Sequence, residues 1–158
     1  MDTLLSTAAR IGERLRARGE TVAVGESSAG GLVSAALLAQ PGASAFFLGG
    51  AVVYTRQARA ALLGITTEDM LGLRPATEAY ALLLARRLRE RLGATWGLAE
   101  TGAAGPSGNS YGDAPGHSCF ALAGPVEIAR TIETGSGDRT QNMRLFGAAA
   151  LMLLDEQL

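Results

Sequence analysis

The sequence contains no lysine, so all 14 of its cationic side chains are arginine. Cysteine and histidine each occur once, as Cys119 and His117. One cysteine cannot form an internal disulfide and leaves no second thiol for a zinc site, as is usual for proteins of a reducing compartment. We therefore expect no disulfide and no metal, and we predict that the protein is cytoplasmic.

Long hydrophobic runs are also missing. No stretch reaches the roughly 20 consecutive apolar residues that a membrane-spanning helix needs. The segment from Met1 to Glu13 has no apolar run followed by a small-residue cleavage site, so it is not typical of a secretory signal. Hydrophobic residues make up 47% of the 158 positions, which argues against disorder. We expect residues 1–158 to form a single soluble domain.

The chain lacks a strong net charge as well. Its 14 basic and 15 acidic residues leave a formal net charge of −1 at pH 7. Binding to nucleic acid depends on a positive field that attracts phosphates, and a nearly neutral chain has no such field over its whole surface. We therefore expect neither a nucleic-acid nor a membrane partner.

Apolar residues recur with helical and strand periodicity along the whole chain. The spacing of Leu4, Ala8, Ile11 and Leu15 predicts a helix that ends at Gly19. Further helices are predicted over 29–39, 55–63 and 77–92, and from Asp138 onward, with a short helical turn capped by Thr66 or Thr67. Strands are predicted over 21–25, 46–54 and 95–100, followed by a hairpin over 117–123 and 126–134.

The order of these elements predicts the fold class. Helices alternate with strands in the first two thirds, and a hairpin precedes the last helix. We predict an α/β fold, a three-layer α/β/α sandwich with a mixed, mostly parallel sheet. Ligands of such sheets bind outside the carboxyl ends of the strands, where two glycine-rich turns fall in this chain.

The first of these turns is Glu26-Ser-Ser-Ala-Gly-Gly31. It places Ser27 and Ser28 beside the free N–H groups of a helix N-terminus, where an anion or an oxyanion can bind. For an isolated pair of serines, capping of the helix is the simpler interpretation. The turn is not a P-loop, because it lacks the G-x-x-x-x-G-K-[ST] spacing.

The second turn is the loop Thr101-Gly-Ala-Ala-Gly-Pro-Ser-Gly108. Its glycines let a ligand approach the backbone, and its threonine and serine supply hydroxyls. Arg139 opens the last helix, where it either grips a phosphate or carboxylate or faces the solvent. From these residues alone we expect one small-molecule site, for a phosphorylated ligand.

His117 and Cys119 alternate with Ser118 and Phe120 on a predicted strand, so they share one face of it. A buried histidine and a thiol that fills space are more common than a catalytic dyad. We interpret both residues as structural.

Taken together, six motifs resemble the CinA C-terminal domain family in order and spacing, over nearly the whole chain. They are Glu26-Ser-Ser-Ala-Gly-Gly31, Pro41-Gly-Ala-Ser44, Gly49-Gly-Ala-Val-Val-Tyr54, Ala61-Leu-Leu-Gly64, Thr101-Gly-Ala-Ala-Gly-Pro106 and Gly137-Asp-Arg139. The resemblance implies a nicotinamide mononucleotide deamidase, a metal-independent and cofactor-free hydrolase of pyridine nucleotide salvage that releases nicotinic acid mononucleotide and ammonia. It also implies a homodimer or higher homo-oligomer.

The resemblance implies that Ser27 is the nucleophile, and Arg59 matches the lysine that is the family's proposed base. Arginine stays protonated at physiological pH, so it cannot accept the serine proton as a neutral amine does. Other family positions differ too: the usual Cys-Thr is Ser28-Ala29, a usual Lys-Pro is Asp113-Ala114, and a usually apolar or small residue is Glu100.

Three hypotheses follow from these differences. In the first, the chain is an amidohydrolase in which Glu100, Glu26 or Tyr54 replaces the lysine as base and Arg59 stabilises negative charge. In the second, it is a weak or inactive relative that binds a nucleotide-like ligand or a protein partner. In the third, Arg59 and Glu100 form a structural ion pair and the chain is an assembly module.

Under the first hypothesis, the backbone amides of the turn from Ser28 to Gly31 hold the oxyanion while Ser27 attacks a carboxamide. The loop from Thr101 to Gly108 binds the phosphate together with Arg139. The predicted ligand-binding residues are Glu26, Ser28, Gly30, Gly31, Thr101, Gly102, Ala104, Gly105 and Arg139.

Overall fold

Helices and strands alternate through the first part of the chain, as predicted. The computed structural model describes residues 2–158. Its helices are α1 (Asp2–Arg18), α2 (Leu32–Leu38), α3 (Arg56–Leu63), α4 (Glu78–Leu92) and α5 (Arg139–Asp155), with one 3₁₀ turn at Ala43–Ala45. Its strands are β1 (Val22–Glu26), β2 (Phe47–Val52), β3 (Trp96–Ala103), β4 (His117–Ala123) and β5 (Ile128–Glu133).

The five strands form one mixed sheet in the order β2-β1-β3-β4-β5. Strand β1 pairs in parallel with both β2 and β3, whereas β4 is antiparallel to its neighbours β3 and β5. Four of the five strands therefore point in the same direction. The carboxyl ends of β1, β2 and β3 meet at one edge of the sheet, which confirms the predicted α/β fold.

Helices cover both faces of this sheet. On one face, Ile11 of α1, Val33 of α2 and Phe146 of α5 belong to the same buried cluster as Val24 and Leu98 of the sheet. On the other face, helices α3 and α4 pack through Leu63, Tyr80 and Leu84 against Ala23 and Ala99. Because alternate strand residues face opposite sides, neighbouring residues of β3 enter different layers.

Three helices begin at side-chain caps close to the predicted positions. The hydroxyls of Thr55 and Thr77 accept hydrogen bonds from the first turns of α3 and α4, and Asp138 does the same for α5. Gly64 and Gly93 end α3 and α4 in left-handed conformations, which glycine adopts without a steric penalty. These predicted boundaries are confirmed.

Several predicted boundaries differ from the observed ones, most of all those of α2 and β3. Helix α2 begins at Leu32 rather than at residue 29, because Gly30 and Gly31 have positive φ angles of 67° and 97°. Strand β3 continues through Thr101 and Gly102 to Ala103, because β4 pairs with it along that stretch. The helical turn predicted at Thr66 or Thr67 is a non-helical turn over residues 67–72.

Between Asp2 and Leu158, no helix combines the length and the apolar character that crossing a bilayer requires.

Candidate active site

The turn after β1 is built around the carboxylate of Glu26, which is fully buried. Its Oε1 accepts hydrogen bonds from the N–H groups of Gly31 (3.1 Å) and Val33 (2.9 Å). Its Oε2 accepts from the N–H and hydroxyl of Ser34 at 2.9 and 2.7 Å. Glu26 thus caps helix α2, which has no side-chain cap at Gly31 itself. Its acceptor atoms are bonded to the protein rather than open to a ligand.

A second buried carboxylate, that of Glu100 in β3, holds the same turn from the neighbouring strand. Its Oε2 accepts hydrogen bonds from the N–H groups of Ala29 (2.7 Å) and Ser27 (3.3 Å). Its Oε1 accepts from the hydroxyls of Ser28 and Ser118. Complete burial raises the pKa of Glu100 above its usual value, although the hydrogen bonds from the turn oppose this shift.

The predicted ion pair between Arg59 and Glu100 is wrong. Glu100 alternates with Trp96 and Leu98, whose side chains face the layer of α1, α2 and α5. Arg59 lies in α3, on the other face of the sheet, where its Cζ is 5.7 Å from the ring centroid of Tyr80. The partners of Glu100 are the hydroxyls and amides described above.

A cavity of about 410 Å³ opens where β1, β2 and β3 end. We call it the serine cavity. Its lining includes Ser27, Tyr54, Arg59, Tyr80, Thr101 and Gly102. The structure therefore brings together Ser27 of the first turn, Tyr54 and Arg59 that follow β2, and the end of β3. Glu26 and Glu100 do not line it.

The ionisable groups of the serine cavity are arginines and phenols. Arg59 and Arg56 are its cationic groups, and among the described residues no carboxylate, imidazole or amine lines it. Burial raises the pKa of the Tyr80 phenol, although the nearby Arg59 guanidinium opposes the shift. Tyr80 therefore stays neutral at physiological pH and does not act as a base.

A smaller cavity of about 180 Å³ adjoins the serine cavity, with which it shares Tyr54, Gly102 and Asn109. We call it the loop cavity, because residues 102–105 and 107–109 form most of its wall. Arg139 donates hydrogen bonds to the carbonyl oxygen of Gly105 (2.6 Å) and to the hydroxyl of Tyr54 (3.2 Å). The predicted ligand-binding residues Ser28, Ala104 and Gly105 also line this cavity.

Most backbone amides of the first turn already have partners. The N–H groups of Ala29 and Gly31 donate to Glu100 and Glu26, and that of Gly30 donates to the carbonyl oxygen of Ser27. Within residues 2–158, the Ser28 N–H is the remaining free amide between Ser28 and Gly31. Gly30 and Gly31 line neither cavity. Of the backbone amides that the sequence predicted to bind an oxyanion, only the Ser28 N–H is therefore available.

The register of β3 supplies another amide, which the sequence did not indicate. The N–H of Trp96 donates to the carbonyl oxygen of Thr21, just before β1, and the carbonyl oxygen of Glu100 accepts from the N–H of Ser27, just after β1. Peptide groups two residues apart point the same way, so those of Gly102 face the space beyond the end of β1. Gly102 must be glycine there, because a Cβ would clash with the carbonyl oxygen of His117.

His117 fastens the segment that forms one wall of the serine cavity. Its Nε2 donates to the carbonyl oxygen of Ala76 (2.8 Å), and its Nδ1 lies 2.5 Å from a carboxylate oxygen of Glu133. Ala76 lines the cavity and has a φ of 59°, which is uncommon for a residue other than glycine. Both ring nitrogens face acceptors, and this arrangement favours the doubly protonated imidazole.

Asp113 reinforces the same wall. It accepts two hydrogen bonds from Arg74, at 2.8 and 3.2 Å, and one from the side chain of Asn109 at 2.7 Å. Arg74 and then Asn109 outweigh the effect of burial and lower the pKa of Asp113 to about 2. Arg74 in turn stacks 5.3 Å from the ring centroid of Tyr111.

Cys119 lies on the same face of β4 as His117, as predicted, with its Sγ 3.6 Å from Nε2. Burial raises the pKa of the Cys119 thiol, so the thiolate that nucleophilic attack requires is disfavoured. Across residues 2–158, no three His, Cys, Asp or Glu side chains are grouped as metal ligands would be.

Sequence reasoning missed several residues that line the serine cavity: Arg56, Tyr80, Asn109 and Tyr111. Tyr80 follows the cap of α4 at helical spacing from core leucines, so its pattern is that of a core residue. Asn109 and Tyr111 lie in a loop without periodicity, and no sequence signal marks the direction of their side chains.

The chain is similar to known proteins along its whole length. The family model of the CinA C-terminal domain matches residues 4–158. A CinA-like protein of Synechocystis is 42% identical over 138 residues, which cover 87% of this chain and 32% of that protein. One from Anaeromyxobacter is 40% identical over 141 residues, which cover 89% of this chain and 35% of that protein. The chain thus spans about a third of the length of these curated relatives.

Solved structures resemble the whole chain. A competence-damaged protein (CinA) superfamily protein from Escherichia coli has a TM-score of 0.92 at 26% identity, covering 99% of this chain and 91% of that one. The competence/damage inducible protein CihA from Agrobacterium tumefaciens has a TM-score of 0.88 at 29% identity, covering 96% and 93% of the two chains.

Proposed function

This chain belongs to the CinA C-terminal domain family, and we propose that it is an amidohydrolase of a phosphorylated nucleotide amide, with nicotinamide mononucleotide as the first candidate substrate. The observation that carries this proposal is the convergence of Ser27, Tyr54 and Arg59 on one cavity that continues into the loop cavity. A hydroxyl nucleophile, a phenol and a cation therefore face the same bound molecule.

The loop cavity suits the phosphate of such a substrate. The guanidinium of Arg139 lies at its edge, and glycines leave the backbone of residues 102–108 open to close approach. Because the loop cavity and the serine cavity share Tyr54, Gly102 and Asn109, one mononucleotide reaches from the phosphate site to Ser27.

In the proposed reaction, Ser27 Oγ forms a bond to the carboxamide carbon and the carbonyl π pair moves onto oxygen. The N–H groups of Ser28 and Gly102 and the guanidinium of Arg59 stabilise that oxyanion. The hydroxyl proton passes to the phenol of Tyr54, which gives its own proton to the amide nitrogen. The oxyanion pair then re-forms the carbonyl, the C–N bond breaks with its electron pair on nitrogen, and ammonia leaves. Water hydrolyses the acyl-serine, which restores the Ser27 hydroxyl and releases the acid.

Arg139 orients Tyr54 for this relay. It donates to the Tyr54 oxygen, so the phenolic hydrogen is directed away from Arg139 and is free to reach the leaving nitrogen. Tyr54 never needs to become a phenolate, because it accepts one proton as it donates another. In this route Arg59 neither accepts nor donates a proton, so it stays charged throughout.

The test is ammonia release from nicotinamide mononucleotide by the purified wild type, Ser27→Ala and Ser44→Ala. We expect turnover by the wild type and a loss of about 10³-fold or more in Ser27→Ala. Ser44 is an exposed serine of the 3₁₀ turn, away from both cavities, so its substitution is the matched control. Turnover that survives in Ser27→Ala contradicts the assignment of the nucleophile.

A second candidate function is binding of the same nucleotide without hydrolysis. It is favoured by the absence of a carboxylate, imidazole or amine from the described lining of both cavities, since these are the side chains that usually serve as a general base. Calorimetric titration of the wild type with nicotinamide mononucleotide separates the two functions. Saturable binding without ammonia release supports a receptor, and binding with ammonia release supports the hydrolase.

A further inference from the structure

A third cavity adjoins the serine cavity and shares no lining residue with the loop cavity. It has a volume of about 640 Å³ and shares Arg56, Arg59, Pro75 and Tyr111 with the serine cavity. We call it the arginine chamber. Its volume is within the usual range of about 300–1,000 Å³ for small-molecule sites, and so is that of the serine cavity. The arginine chamber is therefore not needed to hold a mononucleotide beside Ser27.

The charge of the arginine chamber is positive and largely uncompensated. Arg56, Arg59 and Arg74 line it, and no carboxylate does among the described residues. Arg74 is paired with Asp113 outside the lining. Within residues 2–158, neither Arg56 nor Arg59 forms an ion pair with any carboxylate. Two guanidinium groups are thus available to an anion, and guanidinium binds phosphate in a bidentate manner.

Besides these cations, the lining of the arginine chamber contains apolar and planar side chains. Ile65, Met70 and Leu71 line it, and Leu71 is 76% exposed. The ring of Tyr111 and the stacked guanidinium of Arg74 add flat surface. Anionic and planar apolar features side by side match a phosphate joined to an aromatic base.

We propose that the arginine chamber is a second ligand site, which binds a nucleoside phosphate next to the molecule held at Ser27. The phosphate contacts Arg56 and Arg59, and the base packs against Tyr111 and Leu71. This site does not depend on hydrolysis at Ser27, so it stands whether the serine cavity belongs to an enzyme or to a receptor.

The proposal is tested by calorimetric titration with adenosine monophosphate, adenosine and inorganic phosphate. We expect the nucleotide to bind at least tenfold more tightly than either fragment. Only the nucleotide contacts both the two arginines and the side chains of Tyr111 and Leu71. It should still bind when nicotinamide mononucleotide is already saturating, although more weakly, because both ligands contact Arg59. Equal affinity for inorganic phosphate, full displacement by nicotinamide mononucleotide, or no saturable binding of the nucleotide each overturns the proposal.

Two variants locate the site, and one controls for charge. Arg56→Gln removes an exposed guanidinium, and Leu71→Asp adds a negative charge to the apolar wall, so each should weaken adenosine monophosphate binding tenfold or more. Arg144→Gln removes the same charge from an exposed position of α5 and should leave binding unchanged. Thermal unfolding of each variant verifies that it folds. Equal weakening in Arg144→Gln and Arg56→Gln overturns the assignment.

Discussion

The carboxylate of Glu100 accepts a hydrogen bond from the N–H of Ala29 at 2.7 Å across 71 positions of the chain. This contact joins the turn after β1 to the neighbouring strand and makes Glu100 a structural support of that turn. It also removes Glu100 from the groups that face the ligand. The same is true of Glu26, whose carboxylate caps α2.

The first prediction concerns the pH dependence that Glu100 brings to stability. Burial raises the pKa of Glu100 above its ordinary value of 4.5. A raised carboxyl pKa stabilises the fold fully below that ordinary value, and this contribution is lost as the pH rises through the folded-state pKa. Because glutamine does not titrate, the free energy of unfolding of the wild type minus that of Glu100→Gln should fall as the pH rises from 4 to 8. Urea titrations check this, and a difference that grows with pH is inconsistent with it.

The second prediction concerns His117. Burial disfavours the charged imidazole, but Glu133, the Ala76 carbonyl and Asp113 outweigh it and raise the pKa of His117 above 6.5. The stabilisation is therefore complete below pH 6.5 and is lost as the pH rises through the folded-state pKa. Urea titrations should show this loss in the wild type and not in His117→Gln. NMR titration of the imidazole measures the pKa directly.

Glu133→Gln is the control for that titration. It removes the carboxylate beside Nδ1 and leaves the Ala76 carbonyl, Asp113 and the Arg74 that pairs with Asp113 in place. The pKa of His117 should fall in this variant, whereas an unchanged pKa rules out Glu133 as a cause. Cys119, on the same strand as His117, and Glu78 of α4 stay the same in both proteins.

The third prediction concerns Asp113, whose pKa is lowered to about 2, chiefly by Arg74. A lowered carboxyl pKa stabilises the fold above its ordinary value of 3.8, and the contribution is lost as the pH falls toward 2. Asp113→Asn should lower the free energy of unfolding at pH 7 by about 2 kcal/mol, since it replaces hydrogen bonds to a charged group. The gap to the wild type should narrow as the pH falls from 4 to 2, and a gap of constant size over this range contradicts the assignment.

The fourth prediction concerns the close approach of α4 to the sheet at Gly97. A Cβ there would clash with the carbonyl oxygen of Ala85, which is backbone and cannot rotate away. Gly97→Ala should therefore lower the free energy of unfolding by about 3 kcal/mol. Gly25 lies in the adjacent buried strand, where a Cβ would meet Leu88 at an ordinary 3.5 Å, so Gly25→Ala should cost far less. Urea titrations of both variants measure the two decreases in the free energy of unfolding. Equal decreases contradict the steric explanation.

The fifth prediction concerns Arg59→Lys. A lysine at this position has no carboxylate partner within the described residues, and its amine can lose its proton as arginine cannot. If the serine cavity is otherwise intact, ammonia release from nicotinamide mononucleotide should rise by about 10²-fold as the amine supplies general-base help. The double variant Ser27→Ala, Arg59→Lys is the control, and it should be inactive. Activity in the double variant excludes Ser27 as the group that the lysine activates.

The sequence by itself determined the order of helices and strands and most of their ends. Thr55, Thr77 and Asp138 cap helices because their side chains bond to amides only three residues away. Gly64 and Gly93 end helices because their φ angles are positive. Such effects act over one turn of chain, so a local reading predicts them. The α/β fold and a site at the strand ends followed from the same signals.

Only the tertiary structure decided what each site residue does. Ser27 and Tyr54 line one cavity because β1, β2 and β3 end at one edge of the sheet, and Arg139 reaches Tyr54 because α5 begins beside that edge. Glu100 was predicted to act as a base or to pair with Arg59, but its face of β3 directs it to the turn instead. Burial and the direction of a side chain depend on which strands become neighbours. That is set by long-range packing, and no single stretch of sequence specifies it.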